Sequence, residues 1–185
     1  MNPQSLARAQ EIAIDVLAKV QPDQLELPTP CENWNVAQVI DHLVGSQYWA
    51  MAAIEGTEMS ETGEGASAGD FKASFATAGQ ALLGSLSAEG ALERTVNPGF
   101  GDMPAPALVS MAVTDTFTHA WDIAKATGQS TDLDPEFAAQ CLQGAKVGIS
   151  DAFRSEEGSI FGLEQNAPAG ASAADQLAAF LGRSV

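Results

Sequence analysis

Positive charge is what this sequence has least of: 8 Lys and Arg stand against 24 Asp and Glu, a formal charge of −16. A surface that acidic repels phosphate backbones, so nucleic acid is not expected as a partner. It either attracts cations or keeps the chain in solution. Cysteine is nearly as scarce. Cys31 and Cys141 are the only two, too few for a disulfide framework, and a reducing, cytoplasmic setting is expected. No uninterrupted apolar run reaches the ~18 residues that a membrane span requires. The opening MNPQSLARAQ lacks the apolar core of a secretory signal. Aromatic residues make up only 6%, and sustained strand-like alternation is missing, which argues against a sheet protein.

What is present is a globular composition rich in alanine, 45% hydrophobic over 185 residues. That length suits a single domain over residues 1–185 with a real core. Small side chains at this density favour closely packed helices. Leu6, Ala9, Ala13, Val16, Leu17 and Val20 form a stripe that predicts a first helix over about 5–20, stopped by Pro22. After a Pro-containing link, Asn35 caps a second helix over about 36–54, with Gln38 at the capping-box position. Residues 58–69, rich in Gly, Ser and Glu, read as a mobile surface loop. Asp70 caps a third helix that carries Phe71, Phe75, Ala78, Leu82 and Leu86. Residues 89–106 offer turn signals and a short extended piece. Pro106 suits the first turn of a fourth helix ended by Gly128, a fifth is expected over 135–153, and Ser172 caps a short last one. Four main helices with two extras make an all-α bundle, a fold in which metal sites are built from side chains projecting inward from facing helices.

The chain has two histidines, and both fall in predicted helices beside apolar stripes. His42, in VIDHLVG, sits at the edge of the core face of the second helix. Alone, it reads more readily as a satisfied core histidine. His119 follows Asp115 by one helical turn in the fourth helix, which places the two side chains as neighbours. A carboxylate and an imidazole so spaced can reach one ion at about 2.0–2.2 Å. Asp122 continues the same face. Two readings stand at this point: a ligand pair, or an Asp–His hydrogen bond on a helix surface with Asp122 paired to Lys125 or Lys19. Two histidines and one carboxylate would leave coordination positions open, as a catalytic or substrate-binding site requires.

Three motifs, in order along nearly the whole chain, carry a resemblance. TPCENWNVAQVIDHLVG, DTFTHAWDIAKATG and ADQLAAFLGR resemble the corresponding blocks of the actinobacterial DinB-like proteins related to mycothiol-dependent maleylpyruvate isomerase. The resemblance implies a DinB-like four-helix bundle with additional C-terminal helices. It also implies a divalent metal, zinc first and nickel second, held by His42, Asp115 and His119. Asp122 would then orient a ligand histidine through its other ring nitrogen. Related proteins usually carry Glu where this chain has Asp115. The shorter carboxylate reaches about 1.5 Å less far, so either backbone or ion shifts to meet it, or water intervenes.

Pro30, Trp34 and Val36 are expected to fix the start of the second helix by packing. Trp121 and Cys31 are expected to be buried, and Arg183 to complement the last helix's dipole. The resemblance further implies an enzyme that binds a low-molecular-weight thiol such as mycothiol and uses it on an electrophilic substrate, in S-transfer or isomerisation. A non-catalytic metal or small-molecule binding protein, a sensor or carrier on the same bundle, is the alternative. The cationic residues are scattered along the chain, which argues against the maleylpyruvate isomerase reaction itself. Alanine-rich helix faces make a homodimer plausible.

Overall fold

A computed structural model describes residues 1–31, 33–59, 61–150, 153–154 and 161–185. Helix α1 spans Pro3–Leu17. It starts two residues before the stripe predicted, because the Asn2 side chain accepts from the Ser5 backbone N–H and Pro3 presets the first turn. Pro22 then opens a 3-10 turn over Pro22–Gln24. Helix α2 spans Val36–Glu55 and carries the predicted Asn35/Gln38 capping box. Helix α3, Phe71–Leu86, is capped by Asp70. The irregular stretch contains a two-residue strand β1, Thr95–Val96, paired antiparallel with β2, Met103–Pro104. Helix α4 spans Ala105–Ala126, helix α5 Pro135–Gly148, and helix α6 Ala173–Phe180 behind its Ser172 cap. Helix α5 is shorter than the pattern predicts. Gly148 is a weak helix former and Ile149 turns to an extended conformation. Residues 151–152 of that expected helix lie outside the described residues.

Helices α1, α2, α3 and α4 pack as a four-helix bundle, α1 and α2 each lying against both α3 and α4. Helices α5 and α6 pair with each other, and α6 also rests on α4. The architecture is the all-α bundle with added C-terminal helices that the sequence implied. Fully buried Leu6, Ile40, Leu43, Phe75, Leu82, Leu108, Phe117 and Trp121 fill the interior. One polar line crosses it: Gln10 Nε2 donates to Gln47 Oε1 at 2.9 Å, and Gln47 Nε2 donates to Thr116 Oγ1 at 3.0 Å. Satisfied in this way, buried amides fix how α1, α2 and α4 register.

The stretch read as a mobile loop is instead fastened to α2. Asp41 accepts backbone N–H bonds from Gly65 (3.1 Å) and Ser67 (2.7 Å). Thr62 and Gly63 lie directly on Gly45, where an added Cβ would come within 2.2 Å of the Thr62 carbonyl oxygen. Ser67 is buried in a 3-10 turn, Ala66–Ala68. Low hydrophobicity left this docking invisible, since it rests on glycine contact and one carboxylate. No helix among the described residues is long and apolar enough to cross a membrane.

Candidate metal centre

Helices α2 and α4 bring His42, Asp115 and His119 together. His42 Nε2 lies 3.1 Å from Asp115 Oδ1 and 3.3 Å from Oδ2. His119 Nε2 lies 3.4 Å from Asp115 Oδ1, and the two imidazole centroids are 4.6 Å apart. The shorter carboxylate therefore reaches both rings directly. Ligand bonds of about 2.0–2.1 Å set at tetrahedral angles place donor atoms about 3.3 Å apart, so the two carboxylate–imidazole spacings and the chemistry of this donor set fit a divalent ion such as zinc. The side chains of His42 and Asp115 are about a third exposed (32% and 31%), whereas that of His119 is 8% exposed. The cluster thus opens on the His42/Asp115 side.

Charge is arranged around both Asp115 and His119. Burial pushes the Asp115 carboxyl up, but the imidazoles of His42 and His119 beside it outweigh that and hold it well below the usual carboxylate range. Burial opposes charge on His119 as well. The Asp115 charge, together with hydrogen bonds to Asp115 and Asp122, raises its imidazole to about 9. Asp122, at 0% exposure, accepts from His119 Nδ1 at 3.0 Å. That bond turns Nε2 toward Asp115 and His42, the geometry expected of a carboxylate that orients a metal-binding imidazole. Burial would raise Asp122 too, but its bond from His119 and the charge of Arg183 hold it low.

Trp34 forms one wall. Its ring lies 4.8 Å from that of His42 and 5.7 Å from that of His119. The link before α2 aims it there. Asn33 takes a left-handed conformation (φ 72°), which Asn tolerates, and Thr29 Oγ1 donates to the Trp34 carbonyl at 2.8 Å. Trp34 thus packs at the start of α2 as expected, and it also touches both histidines, which spacing could not reveal. Trp121 is fully buried, its Nε1 donating to Asp175 on α6 at 2.9 Å.

Cys31 is half-buried rather than core. Its sulfur, a His119 nitrogen and an Asp122 oxygen also lie within 4.8 Å of one another. That second trio is a poorer ion site, because the Asp122 oxygens already accept from His119 and twice from Arg183, at 3.3 and 3.1 Å. An ion there would sit beside a guanidinium. Asp115, by contrast, faces imidazoles. Asp122 pairs with Arg183 rather than with Lys125 or Lys19. That partner lies 61 residues away in sequence, beyond the reach of any helical periodicity.

A family model described as mycothiol maleylpyruvate isomerase N-terminal domain matches residues 6–124, a span that includes His42, Asp115, His119 and Asp122. Two proteins of Mycobacterium tuberculosis, from strains CDC 1551 / Oshkosh and H37Rv and both described as uncharacterised, are each 38% identical to this chain over 182 residues. The alignments cover 96% of this chain and 95% of each relative. No solved structure matches it. With a matched span that takes in both helices bearing the histidine and carboxylate cluster, the chain belongs to the mycothiol maleylpyruvate isomerase N-terminal domain family.

Proposed function

We propose that this protein binds one divalent metal ion, zinc first, through His42 Nε2, Asp115 and His119 Nε2, and uses a low-molecular-weight thiol for S-transfer or isomerisation. The observation carrying the reading is the convergence of three donors from two helices within 4.8 Å of one another, Asp115 Oδ1 lying 3.1 Å from His42 Nε2 and 3.4 Å from His119 Nε2, with two of them partly open to solvent. A divalent ion in such a site supplies Lewis-acid stabilisation for the conjugate base of a thiol at neutral pH. The chain's own residues do the rest. Asp122 holds the His119 ring by Nδ1, leaving Nε2 as the donor. Trp34 closes one side of the two imidazoles against water. The partly exposed His42 and Asp115 leave the approach for a thiol and its electrophile on the other side.

Arg183, a cation beside this region, is already bonded to Asp122 and to the Leu181 carbonyl. The reading therefore favours thiol addition to an electrophile of low charge over isomerisation of a dianion such as maleylpyruvate. A reducing, cytoplasmic setting suits it, and neither Cys31 nor Cys141 is in a disulfide.

Calorimetric titration of zinc- or nickel-loaded protein with mycothiol or a simple thiol tests the reading. Metal-dependent thiol binding is expected, followed by consumption of an electrophile when a panel is supplied. Thiol binding that is the same with and without metal would sink it. Tight metal or ligand binding without turnover would assign the protein instead as a sensor or carrier.

A further inference from the structure

We infer that Arg183, which lies beyond the residues matched by the family model, is a positioning residue of the metal centre: it holds the Asp122 carboxylate, which in turn holds the His119 ring. This rests on the metal-binding reading above. Asp122 is fully buried, and a buried carboxylate needs every lone pair satisfied. One bond to His119 would leave the carboxylate free to turn about its own axis, and the imidazole to turn with it. Arg183 removes that freedom. Its Nε donates to Oδ1 at 3.3 Å and its Nη2 to Oδ2 at 3.1 Å, a two-point grip that fixes the carboxylate plane. Its Nη1 donates to the Leu181 carbonyl at 3.2 Å, so the guanidinium is itself held, with its side chain only 11% exposed.

The backbone that delivers it is equally well seated. Gly182 adopts φ +92°, and a Cβ there would lie 2.7 Å from the Gly162 Cα. The turn therefore requires glycine, and it sends the chain back from α6 toward α4. The Arg183 N–H closes onto the Ala178 carbonyl at 3.0 Å. At its other end α6 is tied to α4 separately, by the Trp121–Asp175 bond. Helix α6 thus meets α4 at Trp121, and the turn after it meets α4 at Asp122; of these two contacts, the Arg183 one is made to the carboxylate that holds His119.

The test compares zinc affinity, by competition with a chromophoric chelator, among wild type, Arg183→Ala, Arg183→Lys and Asp175→Ala. The visible spectrum of the cobalt-loaded proteins reports donor geometry independently of any activity. Loss of a hydrogen-bond partner of a ligand typically weakens metal binding about 10- to 100-fold; Arg183 acts one bond further out, through Asp122, so a loss near the lower end, about tenfold, is the scale. That loss is expected for Arg183→Ala, with an altered cobalt spectrum, and a smaller one for Arg183→Lys, which keeps charge without the fork. Asp175→Ala loosens α6 without touching Asp122 and should stay within about threefold of wild type by the same reasoning.

Wild-type affinity in Arg183→Ala would overturn the inference, as would full affinity in Arg183→Lys. So would an equal loss in Asp175→Ala, which would make the effect one of helix docking alone. If Arg183→Ala does not fold, the lysine variant against Asp175→Ala decides by the same criteria. Wild-type protein that takes up no zinc would overturn the metal-binding reading and this inference with it.

Discussion

Asp115 faces His42 on one side and His119 on the other, and among the described residues its oxygens have those imidazoles as their polar partners. In the metal-free protein His119, raised to about 9, is protonated at neutral pH and donates from both nitrogens. An ion requires Nε2 without its proton. Metal uptake near pH 7 should therefore release about one proton, and affinity should climb roughly tenfold per pH unit until about pH 9. Calorimetry in buffers of different ionisation enthalpy measures the proton directly.

The same shift sets the stability of the metal-free protein. A histidine raised on folding contributes stability that is fully present below about 6.5 and lost as pH rises through about 9. Asp115, lowered on folding, contributes stability that is present above the ordinary carboxylate range and lost as pH falls. The unfolding midpoint of metal-free protein should consequently fall between pH 6.5 and 9, and His119→Gln should flatten that fall. At this scale the sequence was informative about Asp115 and His119 as neighbours, because i,i+4 spacing is a local property of one helix, whereas His42, on another helix, was joined to them only by the resemblance. Trp34 and Arg183 were not legible as parts of the site. Their contacts depend on how a left-handed Asn33 and a glycine turn at Gly182 aim them across the fold.

Helices were the most legible elements, since their caps and stripes are written in adjacent residues: Asn35 with Gln38, Asp70, and Ser172 all stand where the pattern placed them. Residues 58–69 were the least legible. Their docking depends on Gly45 and Gly63 touching without side chains and on Asp41 collecting two backbone N–H groups, none of which alters hydropathy. Gly45→Ala should accordingly push this segment off α2, at a cost of about 1–3 kcal/mol. A Glu-specific protease should then cut near Glu61 and Glu64 faster than in wild type. A different weakness lies between the helices. Gln47→Ala removes the amide that joins Gln10 to Thr116 and should cost about 1–3 kcal/mol in denaturant unfolding, because it strands buried polar groups.

Across the whole molecule the net charge of −16 means that folding compresses like charges. Screening lengths shrink from about 30 Å at 0.01 M salt to about 8 Å at 0.15 M. Added sodium chloride should therefore raise the thermal midpoint, whereas a protein held mainly by surface ion pairs would lose stability. The same field draws divalent cations toward the opening beside His42 and Asp115, which links overall composition to the site. The bundle in turn supplies what the proposed three-residue centre would need: two helices that bring the side chains together, and a turn after α6 that braces the buried side through Arg183.

Metal stoichiometry tests that centre most directly. Elemental analysis of wild-type protein purified without chelator, beside His42→Ala, Asp115→Asn and His119→Ala, should find one divalent ion per chain in the wild type and loss of that ion in each variant. A wild-type chain without stoichiometric metal, or variants that retain it undiminished, would contradict the account.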